Sequence, residues 1–248
     1  MQLLATPCAT RASPSPPLLQ IIPKLVDERW RRFLSTTIQV EGTYEVGMQD
    51  QAFLGLEAAL AVPDSDGAGV ELYIATQWLH EDRKQIAECL GLPEKSVRLV
   101  LGGVGGAFGA REDISLQVHT CLLALRSGRP VRIAYGRTES FYGHVHRHPA
   151  KIWMKHHADR SGKILKVESR MVFDGGAYCS TSPAVLINAI THTQGPYKCD
   201  NAVVDGWAVR TNNPPCGAMR GFGVVQACFA HESQMEKLAA AVGISPVD

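Results

Sequence analysis

The chain has 248 residues, 45% of them hydrophobic, and a formal net charge of +1 at pH 7, which suits one large or two smaller folded domains and argues against an electrostatic nucleic-acid binder. Its seven cysteines are scattered with no Cys-x-x-Cys, which reads as reduced thiols and excludes a disulfide framework or an iron–sulfur site within the chain. No apolar run approaches the about 18 residues of a membrane span, so a cytoplasmic chain without membrane contact is expected.

Residues 1–37 open with a stretch, 1–17, that is rich in Ala, Thr, Ser and Pro. They read as a leader, either transit-like or a disordered tail, with a turn or two of helix over residues 27–34. From residue 38 to 44, Ile-Gln-Val-Glu-Gly-Thr-Tyr alternates as a half-buried strand does. Gln49, Asp50 and Gln51 follow, and taken alone Gln49 reads as surface turn chemistry. Pro63-Asp64-Ser65-Asp66-Gly67 signals a turn. A strand is predicted over 70–75, then an amphipathic helix over Leu79–Leu90 stopped by Gly91-Leu92-Pro93.

A second strand, Val97–Leu101, runs into Gly102-Gly103-Val104-Gly105-Gly106-Ala107-Phe108-Gly109-Ala110-Arg111-Glu112. Clustered glycine signals positive φ or close approach of backbone to a ligand. The loop lacks the Lys-Ser/Thr ending of a P-loop. It also meets Phe108 where a dinucleotide loop needs its third glycine, and no acid stands about 20 residues on. Residues 113–126 repeat apolar side chains at helical spacing, and a third strand follows at 131–135. The predicted class is α/β with α+β mixing: a βαβαβ unit carrying the glycine loop at the C-terminal end of a strand, where open sheets bind ligands. A mixed strand-rich region ending in a long helix then follows. The expected parts are 1–37, 38–138 and 139–248.

His144, His146 and His148 stand two apart, as they would to share one face of a strand and hold a metal. No carboxylate or cysteine lies in the next few positions, so the favoured reading is solvated or hydrogen-bonded histidines in a turn. Strands are predicted over 151–157 and 163–173 as a hairpin around a terminal Gly. Gly175-Gly176-Ala177-Tyr178 reads as a structural turn, residues 180–195 as mildly helical, and Ala202–Arg210 as a strand. Asn212-Asn213-Pro214-Pro215 forces an irregular path that delivers Arg220-Gly221-Phe222-Gly223 to the start of a helix over Val224–Val242. A helix start with an Arg beside it suits an anion.

Gly-Gly-x-Phe-Gly followed by a basic residue and Glu resembles the molybdenum-cofactor-binding large subunit of xanthine dehydrogenases, aldehyde oxidases and related molybdenum hydroxylases. Three further stretches carry the same resemblance in the same order: the one beginning Gly47-Met48-Gln49, Gly175-Gly176-Ala177-Tyr178, and Arg220-Gly221-Phe222-Gly223. Over residues 41–248 the chain is most similar to the purine-oxidising members. The resemblance implies a molybdenum–molybdopterin cofactor contacted by Gln49, Gly106, Phe108, Gly109, Arg220 and Gly221. It implies no direct protein ligand to the metal, and substrate contacts from Glu112 and Phe222. It further implies oxidative hydroxylation of purines with water as oxygen source, or of aldehydes and other N-heterocycles. Iron–sulfur and FAD sites are expected on partner subunits or domains. The catalytic base is expected beyond Asp248, in a missing C-terminal part, so an inactive fragment is the other reading. Where purine enzymes carry a substrate-binding Arg, this chain has Asn188.

Overall fold

The computed structural model describes residues 33–247. In chain order its first elements are β1 (Ile38–Val46), β2 (Ala58–Pro63), β3 (Val70–Ile74), α1 (Leu79–Leu90), β4 (Val97–Leu101), α2 (Gln117–Ser127), β5 (Val131–Ala134) and α3 (Arg137–Gly143). There follow β6 (Ala150–Ala158), β7 (Ile164–Gly176), α4 (Ser182–Thr191), β8 (Ala202–Arg210) and α5 (Val224–Val242). The leader reading and most of the short helix expected over 27–34 lie outside the described residues.

The fold is mixed α/β, with two four-stranded sheets in two compact units. One unit is made of residues 49–147 and 217–220. Its sheet has the order β4-β3-β2-β5. β3 and β4 are parallel and joined through α1, as a crossover connection requires. The expected βαβαβ run is present, but β2 is inserted antiparallel between β3 and β5. Val70, Leu72 and Ile74 alternate inward on β3, while Tyr73 points outward and is exposed. The inward set packs with Ile86 of α1 and with Cys121 and Ala124 of α2 into one core, whose burial pushes the Cys121 thiol up to about 12.

The second unit is made of the residues up to 48, 148–216 and those from 221 on. Its sheet runs β1-β6-β7-β8, antiparallel except for β7 and β8, which are parallel on either side of α4. Ile152, Met154, Met171 and Phe173 from the strands pack with Val185 and Leu186 of α4 and with Ala227 and Ala230 of α5. Gln234 of α5 is buried, and its amide is fully used. Its oxygen accepts from Tyr44 Oη at 2.8 Å, and its nitrogen donates to the carbonyls of Met154 at 2.9 Å and Val40 at 3.2 Å. Buried amides left unpaired would be costly, so this network fixes the helix on the sheet. Among the described residues no helix is long and apolar enough to cross a membrane.

Two expectations are corrected by the fold, and one helix is added to them. The strand expected over 38–44 pairs with β6 along nine residues, from Ile38↔Ala158 to Val46↔Ala150, so it joins the later strands and not the glycine-loop part. The helix expected from 113 begins at Gln117. Residues 107–112 are taken up by turns, with Ala110 N–H bonded to Ala107 O and Glu112 N–H to Gly109 O. Finally, α3 is a helix the apolar pattern did not signal. It is started by Glu139, whose carboxylate accepts the Gly136 N–H at 2.6 Å.

Candidate functional site

Within the unit of residues 49–147 and 217–220, four stretches of chain meet. The glycine loop supplies the first contact: Phe108 O accepts the Arg220 N–H at 2.8 Å. Gly109 makes this approach possible. Its φ is +103°, and a Cβ placed there would lie 2.6 Å from the Ala218 carbonyl oxygen. Phe108 itself sits at φ 53° with its ring about half exposed (48%). A bulky residue in the left-handed region is strained, at a cost of about 1–3 kcal/mol, and persists only where its surroundings impose it.

Arg147 joins the remaining stretches. It is buried, and its Nε donates to Gln49 Oε1 at 2.8 Å while its Nη2 donates to Arg220 O at 2.9 Å. Its own N–H bonds Gln49 O at 3.0 Å. Burial pulls its guanidinium down from the usual arginine range, though arginine stays charged there. Nearby, Gln51 donates to Val145 O at 3.2 Å and Ala218 O at 2.8 Å. The structure therefore brings Gln49, Phe108, Gly109 and Arg220 together around a buried cation that the sequence pattern does not mark. Gln49 and Arg220 themselves are exposed. The signal for Arg147 was faint: one Arg inside a His-rich stretch, with no spacing that marks it as a hub.

The other glycines of the loop have a separate task. Gly55 N–H bonds Gly105 O at 2.8 Å, and a Cβ on either glycine would come within 3.0 Å of the other's backbone. At Gly103 a Cβ would meet nothing within 4 Å, so packing within the chain does not demand a glycine there. An open cleft beside the loop is lined by Gly55, Gly102, Gly103, Gly105, Arg111 and Arg132. Arg111 lies 4.7 Å over the Phe53 ring and donates to Ala75 O at 3.2 Å and to Gly55 O. Its charge braces backbone instead of facing outward.

Glu112 lies in the turn before α2, half-buried, and burial followed by the neighbouring Asp113 holds its carboxyl above the ordinary value. The helix expected to start directly after Glu112 begins five residues on, so no helix N-terminus acts on this carboxyl. Gly221 and Phe222 fall in the other unit. There Phe222 has φ 47°, between Gly221 at 88° and Gly223 at 94°. Its carbonyl accepts from Asn188 Nδ2 at 2.9 Å, and its ring packs partly against the core. Asp174 holds the nearby glycine turn, accepting from Gly176 N–H at 2.9 Å and Thr211 Oγ1 at 2.6 Å. That turn is architectural.

The three histidines are hydrogen-bonded, as one sequence reading held, but their placement differs from the expected exposed turn. None is solvated: His144, His146 and His148 are all buried. They are not one set either, for His148 lies in the other unit with its Nε2 2.7 Å from Ser182 Oγ. His144 and His146 stack with ring centroids 5.3 Å apart. Their carboxylates come from far back in the chain. Glu57 Oε1 is 2.7 Å from His144 Nδ1, and Asp50 Oδ2 is 3.0 Å from His144 Nε2 and 3.2 Å from His146 Nε2. Burial alone would raise Glu57, but the bond from His144 turns the balance and holds it below its ordinary value.

Residues 30–248 match the family model of the molybdopterin cofactor-binding domain. The chain is 39% identical over 216 residues to a probable xanthine dehydrogenase subunit of Bacillus subtilis (strain 168), covering 87% of this chain and 29% of that protein. It is equally 39% identical to the nicotinate dehydrogenase large molybdopterin subunit of Eubacterium barkeri, over 87% of this chain and 51% of that protein. Among solved structures it resembles the aldehyde oxidoreductase of Desulfovibrio gigas (TM-score 0.82, 26% identity, 87% of this chain and 24% of that one). It likewise resembles the quinoline 2-oxidoreductase of Pseudomonas putida 86 (TM-score 0.80, 28% identity, 87% and 28%). The chain thus spans between about a quarter and a half of the length of these relatives.

Proposed function

We propose that this chain, which belongs to the molybdopterin cofactor-binding domain family, is the central cofactor-holding part of a molybdenum hydroxylase large subunit that oxidises a nitrogen heteroaromatic compound. The observation that carries this reading is the Gln49–Arg147–Arg220–Phe108 hydrogen-bond chain, which holds three loops in one place. Their residues fit an anionic pterin group. Arg220 offers an exposed guanidinium, Gln49 offers an exposed neutral amide that adds no titrating charge, and Gly103 leaves room beside the backbone. When bound, the molybdenum cofactor supplies the two-electron oxidation and transfer of a water-derived oxygen.

The chain's own residues then bind and orient. Arg147 keeps the Gln49 amide aimed by occupying its oxygen, which leaves the NH2 group to donate. Phe108 offers an exposed ring held by its strained backbone. Glu112, held above its ordinary value by burial, is suited to share a proton or accept a hydrogen bond from a heterocycle N–H. Phe222 offers a ring for a flat substrate, and Gly221 frees the backbone beside Arg220. The catalytic base comes from sequence outside the described residues, and iron–sulfur and FAD carriers belong to partner subunits or domains, since the seven cysteines include no close pair.

Purines are the first substrate class. The relatives named for xanthine, nicotinate and quinoline share a nitrogen heteroaromatic ring, and that shared chemistry favours this class. Aldehydes are the second reading. It is favoured by Asn188, whose amide is engaged with Phe222 O where a purine enzyme is expected to present an Arg. The test is the complete subunit assembled with its partners, assayed for molybdenum, for pterin, and for oxidation of hypoxanthine, nicotinate and benzaldehyde with an artificial acceptor. Absence of molybdenum and pterin from that assembly overturns the reading. Turnover of benzaldehyde alone moves it to aldehydes.

A further inference from the structure

We propose that Asp50, His144 and His146 form a binding site for one divalent transition-metal ion of the zinc type, distinct from the pterin cofactor. All the residues involved lie in the unit of residues 49–147. The site stands on their geometry alone.

His144 is set up as a ligand. Its Nδ1 is 2.7 Å from Glu57 Oε1, so the Nδ1–H donates to that carboxylate and the Nε2 lone pair is turned the other way. A metal-bound histidine is oriented in the same manner by a carboxylate behind it. What that lone pair faces is the Asp50 carboxylate oxygen, 3.0 Å away. The side chain of His144 is 2% exposed, and neither Asp50 Oδ2 nor His144 Nε2 has a hydrogen-bond partner of proper geometry. Two buried acceptors face each other, an arrangement that costs about 1–3 kcal/mol per unsatisfied group unless a proton or a cation lies between them.

Three features favour the cation. His146 Nε2 approaches the same Asp50 oxygen at 3.2 Å, and one donor atom from each of the three residues falls within 4.8 Å of the others. In a tetrahedral site with bonds of about 2.0–2.2 Å, adjacent donor atoms stand about 3.3 Å apart, close to both Asp50 spacings. A fourth oxygen is at hand: the Phe141 carbonyl, 2.9 Å from His146 Nε2, in the last turn of α3 where carbonyls lack helical partners. With the ion bound, the His146 proton shifts from Nε2 to Nδ1, and the Phe141 carbonyl that had accepted it turns to the metal. Two imidazoles, one carboxylate and one carbonyl suit zinc or a neighbouring first-row ion better than magnesium or calcium. Asp50 and Glu57 bring two negative charges, which such an ion balances. Asp50 follows Gln49 and His146 precedes Arg147, so the ion clamps together the two stretches that present those side chains.

The experiment uses the full chain stripped with chelator and titrated with zinc chloride by calorimetry, and with cobalt chloride by visible absorption. One equivalent of zinc is expected to bind tighter than about 1 µM. His144→Gln and Asp50→Asn should each weaken this at least about 100-fold, and Glu57→Gln, which removes only the orienting carboxylate, by about 10–100-fold. Cys228→Ser is the control, because Cys228, His231 and Glu232 form a second cluster with metal-ligand spacing. It should leave the first equivalent unchanged. Cobalt should give four-coordinate absorption without a thiolate band. A melting temperature that zinc raises in the wild type but not in the near-isosteric Asp50→Asn supports the site even if His144→Gln does not fold. Wild-type affinity weaker than about 1 mM, zinc binding indifferent to Asp50→Asn, or loss confined to Cys228→Ser overturns the proposal.

Discussion

Arg147 grips Gln49 twice, through its Nε to the side-chain oxygen at 2.8 Å and through its own N–H to the Gln49 carbonyl at 3.0 Å. The same guanidinium reaches Arg220 O at 2.9 Å. One buried cation thus sets the positions of two loops that are 171 residues apart in sequence (220 − 49). Replacing it with methionine keeps the aliphatic length and removes the donors. Arg147→Met should lower stability by about 2–3 kcal/mol, the magnitude of lost bonds to a charged group, and should lower the molybdenum content of the assembled enzyme. Urea unfolding and metal analysis read the two effects. Unchanged values in both would reduce Arg147 to a passive filler.

Gly109 and Gly67 separate two reasons for glycine. Both have positive φ, but a Cβ at Gly109 meets the Ala218 carbonyl oxygen at 2.6 Å, whereas one at Gly67 meets nothing within 4 Å. Gly67→Ala should cost only the backbone strain, about 1 kcal/mol. Gly109→Ala adds a clash with backbone that has nowhere to go, and should cost about 3 kcal/mol or more. Chemical denaturation of the pair decides it, and equal losses would mean that the two loops are not held in contact.

His156 is fully buried, and its imidazole is pushed down to about 4 from an ordinary 6.5 by burial, with His231 and His157 adding to it. The folded state therefore binds this proton less readily than the unfolded chain does. Stability from this group is complete above pH 6.5 and is lost as pH falls from there toward about 4, by up to about 3 kcal/mol. Urea midpoints measured from pH 4 to 7 should fall steeply toward acid in the wild type and less steeply in His156→Gln. Parallel slopes would show that another group dominates acid unfolding.

Glu112 allows a kinetic and a titration test of one carboxyl. Burial first, then Asp113, raises it in the fold, so ionising it costs stability that grows as pH rises above the ordinary carboxyl range. Glu112→Gln should gain stability relative to wild type with rising pH. In the complete enzyme the same change should lower turnover of a purine at least about tenfold, equivalent to about 1.4 kcal/mol. Asp113→Asn should leave turnover nearly unchanged. Equal small effects from both variants would leave Glu112 without a part in catalysis.

Local pattern was readable where a local rule sets the structure. Periodicity with a glycine or proline stop placed α1, β4, β8 and α5 at their observed limits, since Gly91 takes a left-handed cap and Pro215 leads irregular chain toward α5. What stayed hidden was decided by partners distant in sequence. The alternation of β1 names an inward face but not β6 as its neighbour. Asp50 stands in a polar run that names no partner until His144 is folded against it, 94 residues on (144 − 50). The late start of α2 stayed hidden because apolar spacing does not reveal that turns occupy the residues before it. Arg147 left only a faint signal: a buried arginine is set by the oxygens it meets, here Gln49 Oε1 and Arg220 O, and those are assembled only in three dimensions.

The nine-residue pairing of β1 with β6 has a consequence for how the chain is born. Val46 and Ala150 face each other across the ladder, so about 100 residues leave and return at almost the same point. On a ribosome adding about 5–20 residues per second, β1 emerges and waits roughly 5–20 s for its partner strand. During that wait its hydrogen-bonding edge is open to any other strand. The 49–147 stretch has its own sheet and core and can fold within the interval, which brings the two ends together and shortens the search. Translation speed through residues 49–149 is therefore itself a determinant of yield: codons that slow it prolong the exposure of β1 and should lower yield, and saturating overexpression should drive the chain into aggregates through that waiting edge.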